Sequence, residues 1–235
     1  RYYHHPARHP GLGSQELELI QADQPVEQVS ADGWSLRKLL RRREMWGLML
    51  ARFMNDGAFY FFMAWVPLYL AQERGFDIKQ IALFAWMPYL AADLGSVGGG
   101  WLGRQLIRGG MSLDRSRKQI IWGGALMVLT ALPVAGVQSP YAAIALIAVA
   151  MFSIQAKAAN LFALPTDLYP ANAVGKSWGL FGAVGAFGGM VFEGVAGWAT
   201  DQVGYAPVFV AVAVTQLLSA AFVSLLIPKI RMLTE

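Results

Sequence analysis

Six long apolar stretches, at 46–71, 80–103, 119–137, 141–164, 177–199 and 206–228, alternate with short polar segments along this chain. A helix needs about 20 mostly apolar residues to cross a hydrocarbon core of roughly 30 Å. Five stretches reach that length and 119–137 falls just within the usual range, so the pattern predicts an all-α integral membrane bundle of six transmembrane helices. The connections at 72–79, 138–140 and 201–205 are short, which makes neighbouring spans antiparallel and closely packed. Pro67, Pro88, Pro133 and Pro165 sit within or at the ends of spans, where neighbouring helices re-satisfy the freed carbonyls. Gly95 with Gly99, and Gly185 with Gly189, form GxxxG pairs that let helices approach closely.

The first 45 residues follow a different pattern. Residues 1–33 are polar, with Ser14 placed to cap a short helix through Glu16–Glu18 and with Pro25 and Gly33 in a linker. In 34–44, Leu36, Leu39 and Leu40 share a helical side while Arg37, Lys38, Arg41, Arg42 and Arg43 crowd the rest. That is the pattern of a basic helix lying on anionic headgroups. The expected organisation is a central cytoplasmic loop over 1–45, a six-helix bundle over 46–228, and a cytoplasmic tail over 229–235.

Charge sets the orientation. With the N-terminus in the cytoplasm, fifteen Lys and Arg residues fall on that side and only Arg74 and Lys79 on the other. The positive-inside rule therefore puts both ends of this segment in the cytoplasm. Arg52 and Lys157 remain, inside spans.

Ionisable residues at membrane depth are costly, and they mark bundle interiors or wet paths. In the first span Arg52, Asn55, Asp56, Phe59, Tyr60 and Met63 recur at three- and four-residue steps, hence on one face. Arg52 and Asp56, one turn apart, pair either as a structural bridge or as part of a polar wall along a substrate path. In the fourth span Ser153, Lys157, Asn160 and Leu164 share a face, with Gln155 roughly opposite Lys157. Lys157 is expected near the midplane, too deep to snorkel. It needs a carboxylate (Asp56, Asp93 or Glu193), water or an anionic ligand. Asp93 and Glu193 either carry a proton or hydrogen-bond a neighbouring helix.

Composition narrows the field further. Hydrophobic residues make up 56% and charged residues 14%, against about 25% charged in soluble domains. Cysteine is absent, which excludes thiolate metal sites and thiol nucleophiles. His4, His5 and His9 lie in the polar segment without a metal-ligand set. GxSxG, HExxH and P-loop signatures are missing, so no enzyme, cofactor or metal is expected. The net charge of +4 is spent at helix ends and argues for topology over nucleic acid. The chain opens at Arg1 without an initiator Met, so a fragment or processed chain with an upstream part is expected.

Four segments carry a resemblance: YHHPARHPGLGSQEL at 3–17, ARFMNDGAFYFFMAWVPLYL at 51–70, the run from FAWMPYLAADLGSVGGGWLGRQLIRGGMS to DRSRK at 84–118, and QAKAANLFALPTDLYPANAVGKSWGLFGAVGAFGGM at 155–190. They resemble the C-terminal half of major facilitator superfamily transporters, and within these the anion:cation symporters of hexuronates and other sugar acids. GGWLGRQLIRGG is similar to the second-half copy of the family's cytoplasmic loop motif. The resemblance implies one six-helix half of a twelve-helix fold, with the substrate held between halves and moved by alternating access. It also implies that the first and fourth spans line the cavity and that proton coupling lies largely in the other half. Many sugar-acid members carry Trp where Lys157 stands, a departure that puts a cation in this position.

The expectation is thus the C-terminal half of a proton-coupled transporter of organic anions, such as a hexuronate or aldonate, in a bacterial inner membrane. Its partners are the anion, the proton, the bilayer and an N-terminal six-helix half. Lys157 would hold the carboxylate, and Asn160, Gln155, Asn55 and Tyr60 the hydroxyls. Arg52, Asp56, Asp93 and Glu193 would form ion pairs or couple the proton. The alternatives are a transporter of a dicarboxylate or phosphate ester, and a membrane-embedded interaction or signalling module.

Overall fold

Short polar side chains fix where several helices begin. The computed structural model describes His9, residues 11–22 and residues 34–233. The chain divides into two units, residues 1–31 and 32–235. In the first, helix α1 runs Ser14–Ala22 with Glu16 in its first turn. Ser14 is the first helical residue rather than a flanking cap. The backbone N–H of Gly11 donates to His9 Nδ1 at 3.2 Å. Arg1, His4, His5, Arg8, Pro25 and Gly33 lie outside the described residues.

The second unit holds α2 (Leu36–Leu40), α3 (Arg43–Arg74), α4 (Ile78–Phe84), α5 (Met87–Arg108), α6 (Leu113–Met127), a 3-10 turn at Val128–Ala131, α7 (Pro140–Leu168), α8 (Ala171–Val203) and α9 (Ala206–Leu226). The side chains of Ser35, Asp77, Ser112 and Ser139 accept from backbone N–H groups of the first turns of α2, α4, α6 and α7. Such caps satisfy donors that a helix cannot satisfy itself.

Four segments among the described residues are long and apolar enough to cross a membrane: Ile78–Arg108, α7, α8 and α9. Two of the six expected spans depart from that pattern. The third is divided between a 15-residue α6 and the 3-10 turn, ahead of Pro133. The first, α3, is 32 residues long but carries Arg52, Asn55 and Asp56 in its middle. The second span is broken at Ala85 and Trp86, just before Pro88 takes the second position of α5, where its missing N–H costs nothing. In the basic segment Leu39 turns inward, whereas Leu36 and Leu40 stay exposed.

The interior is layered. One apolar core gathers Phe61, Phe62, Tyr69, Ile147, Ile154, Phe209 and Val212. A second gathers Leu48, Ala51, Ile121, Leu161, Leu164, Phe181 and Ala220. Between them lies a polar layer, made by Asn55 and Asp56 on α3, Lys157 and Asn160 on α7, and Gln216 and Ser219 on α9, all buried. Glycines bring the helices together around it. A Cβ on Gly95 or Gly99 of α5 would overlap the carbonyls of Phe152 and Ala156 on α7, and one on Gly188 of α8 would overlap that of Phe53 on α3. The Gly95/Gly99 pair is therefore a backbone-to-backbone contact, whereas Gly185 and Gly189 make room for the side chains of Arg52, Asp56 and Tyr60.

Beyond α9 the chain folds back on the bundle. Lys118 Nζ donates to the Pro228 carbonyl at 2.7 Å, and the Ile230 N–H to Asp114 Oδ1 at 2.8 Å. The Leu233 N–H donates to the Leu168 carbonyl at 2.8 Å. Lys118 also pairs with Asp114 at 2.8 Å. Burial alone would raise the Asp114 carboxyl, but these donors and the charges of Lys118 and Lys229 hold it below the ordinary carboxylate range.

Candidate functional site

The polar layer is a continuous chain of hydrogen bonds across three helices. Lys157 Nζ donates to Gln216 Oε1 at 2.7 Å and to the Gln216 carbonyl at 3.3 Å. Gln216 Nε2 donates to the Asn55 carbonyl at 3.1 Å. Asn55 Nδ2 donates to Asp56 Oδ1 at 3.2 Å, and Arg52 Nε to Asp56 Oδ2 at 2.9 Å. Each buried group thus gains a partner that reduces its desolvation penalty. Ser219 Oγ donates to the Ala51 carbonyl at 2.7 Å and fixes α9 against α3.

Arg52 sits in an aromatic cage. Its guanidinium carbon lies 4.4 Å from the ring centres of Phe162 and Phe181 and 5.7 Å from that of Trp178. Cation–π contact of this kind stabilises a partly desolvated cation. Gly185 of α8 allows the approach, since a Cβ there would meet Asp56 Oδ2 at 2.5 Å and Arg52 Nε at 2.6 Å. Two polar atoms of the layer are buried and unpartnered: Arg52 Nη1, a donor, and Asn55 Oδ1, an acceptor.

Next to the layer, α3 and α8 border a cavity of about 440 Å³ lined by Tyr60, Met63, Ala64, Gly189, Met190 and Glu193. Tyr60 is 42% exposed. Its ring lies on Gly189, where a Cβ would come within 2.6 Å of the ring. Trp65 Nε1 donates to Glu193 Oε2 at 2.9 Å, and Glu193 Oε1 is buried without a partner.

The expected residues therefore separate into three places. Arg52, Asn55 and Asp56 come together in the layer, and Tyr60 with Glu193 at the cavity. Lys157 is fully buried and turned toward Gln216, just past the middle of α7. None of the three carboxylates expected as its partner is in hydrogen-bonding contact with its ammonium among the described residues; Gln216 takes that place. Asn160 is also turned inward. Its Nδ2 donates to the Gly99 and Ala156 carbonyls at 2.9 and 3.2 Å, and its Oδ1 accepts from Arg117 Nη1 at 3.0 Å. Arg117 in turn pairs with Asp167 at 2.8 Å. Asn160 therefore joins α5, α6 and α7. Gln155 is half-buried and Asp93 exposed; Asp93 lies one turn beyond Tyr89, whose hydroxyl donates to the Met63 carbonyl at 3.0 Å.

Sequence reasoning passed over Gln216, Trp65 and the cage. Gln216 had a visible signal, as the lone side-chain amide of the sixth span. The cage rings come from two helices and had none.

The sequence profile of the Major Facilitator Superfamily matches residues 4–192. The chain belongs to the major facilitator superfamily. It is a multi-pass membrane protein of a family of transporters rather than enzymes. Among superfamily members it is 36% identical over 222 residues to the hexuronate transporter of Escherichia coli (strain K12), covering 93% of this chain and 51% of the relative. It is 28% identical over 243 residues to the D-galactonate transporter of Escherichia coli O6:H1, covering 98% and 56%. It is 34% identical over 150 residues to a probable galactarate/D-glucarate transporter of Pseudomonas putida, covering 64% and 33%. The chain spans about half the length of the first two.

Proposed function

We propose that the chain works as the C-terminal half of a secondary transporter of sugar acids in a bacterial inner membrane. Six crossings place both of its ends in the cytoplasm, and an N-terminal six-helix half completes the substrate path. The observation that carries this reading is the 36% identity to a hexuronate transporter over nearly the whole chain. The cavity between α3 and α8 supports it, because it opens beside a layer that holds a cation with an unpartnered donor.

In this reading Arg52 takes the substrate carboxylate on Nη1, in place of the role that the sequence suggested for Lys157. Asp56 holds the guanidinium from the Nε side, and the cage lowers the local dielectric, which strengthens the bond formed. Asn55, Tyr60 and Gln155 offer hydrogen bonds to hydroxyls. Lys157 and Asn160 hold the layer and the α5–α7 seam in register. A proton drives the cycle, taken up largely by the other half, with Asp93 as the exposed carboxylate on this one.

Reconstitution tests the reading. Vesicles holding this chain with its N-terminal half, on one polypeptide or two, are expected to take up a hexuronate or aldonate in response to an inward proton gradient. This chain alone is expected to take up none, because half of the path is missing. Uptake by the chain alone above empty vesicles, or failure of the complete protein to move any sugar acid, defeats it.

A further inference from the structure

We propose that Glu193 makes the α3–α8 cavity a reader of the substrate's second end: it accepts a hydroxyl there and turns away a second carboxylate. The proposal rests on the sugar-acid reading above and deepens it, from sugar acids in general to those with a single carboxylate.

The cavity has two polar side chains, Tyr60 and Glu193, and the rest of its lining is Met63, Ala64, Gly189 and Met190. It has no Lys or Arg. Glu193 is held in place, since Trp65 Nε1 donates to Oε2 at 2.9 Å. Oε1 is buried and has no donor. An ionised carboxylate only accepts hydrogen bonds, so the group missing from this site is a donor. Tyr60 is held as well, with its ring seated on Gly189 one turn before Glu193. The cation available to the substrate is elsewhere. Arg52 precedes Tyr60 by two turns of α3, about 12 Å at 1.5 Å per residue, and its guanidinium reaches one turn closer by bonding Asp56. The two ends of an extended six-carbon acid therefore meet opposite environments, a cation at one and a carboxylate at the other.

Three classes of sugar acid share the first end and differ at the second. An aldonate ends in a primary alcohol and a hexuronate in an aldehyde or its hemiacetal hydroxyl, and these hydroxyls donate. An aldarate ends in a second carboxylate, which donates nothing and repels Glu193. Discrimination of this kind works through the unfavourable partner as much as the favourable one. The α3–α8 cavity thus selects monoacids over the diacids named for one of the relatives.

The test is the ratio of aldonate to aldarate uptake, for galactonate against galactarate, in vesicles holding the complete transporter. A ratio is independent of how much protein inserts. The wild type is expected to favour the monoacid at least ten-fold. In Glu193→Gln and Glu193→Ser the ratio is expected to fall ten-fold or more. For a variant that binds but does not transport, the same ratio is read from competition binding in detergent. A wild type that takes both acids equally, or variants whose ratio is unchanged, overturns the proposal while leaving the sugar-acid reading intact. A wild type that takes neither overturns both.

Discussion

At the scale of single residues, the two cations inside the bundle are not equivalent. Lys157 makes both of its hydrogen bonds to Gln216, whereas Arg52 keeps one buried donor free. Lys157→Met is therefore expected to keep sugar-acid affinity within about three-fold, since Lys157 bonds only Gln216, while the Gln216 acceptor left without its donor costs about 1–3 kcal/mol of stability. Arg52→Met is expected to lose more than ten-fold, about 1.4 kcal/mol or more. Binding measured on both variants decides between them, and the reverse order returns the carboxylate to Lys157. Stability separates differently. Removing either Arg52 or Asp56 strands the other charge; a fully buried pair would cost about 3–5 kcal/mol, and the partial exposure of Arg52 brings the expected cost below that. The double neutral variant is expected to cost less than the sum, and additive losses in a double-mutant cycle would show no coupling. Asp114 gives a pH dependence. Its carboxyl is held below 3.8 in the folded chain, so its contribution is present above that value and lost as pH falls through the lowered one. Protection of the Ile230 amide against hydrogen exchange is expected to persist to mildly acidic pH and to fade in strong acid, and in Asp114→Asn to be weak throughout.

At the scale of elements, glycine position decides which helices touch. A Cβ on Gly99 would collide with the Ala156 carbonyl, whereas one on Gly100 meets nothing within 4 Å. Gly99→Ala is expected to cost about 1–3 kcal/mol by overpacking, and Gly100→Ala to gain up to about 1 kcal/mol from helix propensity. Thermal unfolding in detergent measures both; equal effects would remove the α5–α7 seam as the cause. The apolar runs and the Arg52–Asp56 spacing were legible in the sequence because periodicity records them directly. The direction of Lys157 was not. Its neighbours Ser153 and Asn160 suggested a polar face, but that face is turned into the bundle, where Gly124 of α6 and Gln216 of α9 receive it. A helical wheel says which residues share a side and not what that side meets. The break at Ala85 was hidden for a related reason, since apolar residues continue unchanged through it.

At the scale of the whole molecule, apolar cores on either side of a polar layer make a bundle whose stability and function occupy different heights. The cores bury Phe61, Phe62 and Phe209 on one side and Leu161, Leu164 and Phe181 on the other. The layer between them carries Lys157 and the Arg52–Asp56 pair. The cation cage belongs to both levels, since Phe181 is a core residue and also faces Arg52. Phe181→Ala is therefore expected to lower thermal stability and anion affinity together, while Phe209→Ala, which packs on Phe61, Phe62 and Tyr69 rather than on Arg52, lowers stability alone. Separate measurements of melting and binding on the two variants check this.

The bonds made beyond α9 set an order of events during synthesis. Pro228, Ile230 and Leu233 are joined to Lys118, Asp114 and Leu168, yet they leave the ribosome after every described helix has been made. The ends of α6 and α7 therefore wait with these groups unmatched until residues 228–233 have been made. Closure of this edge follows the making of every described helix, and a nascent chain stalled at Ile227 would hold those helices and still lack this fastening.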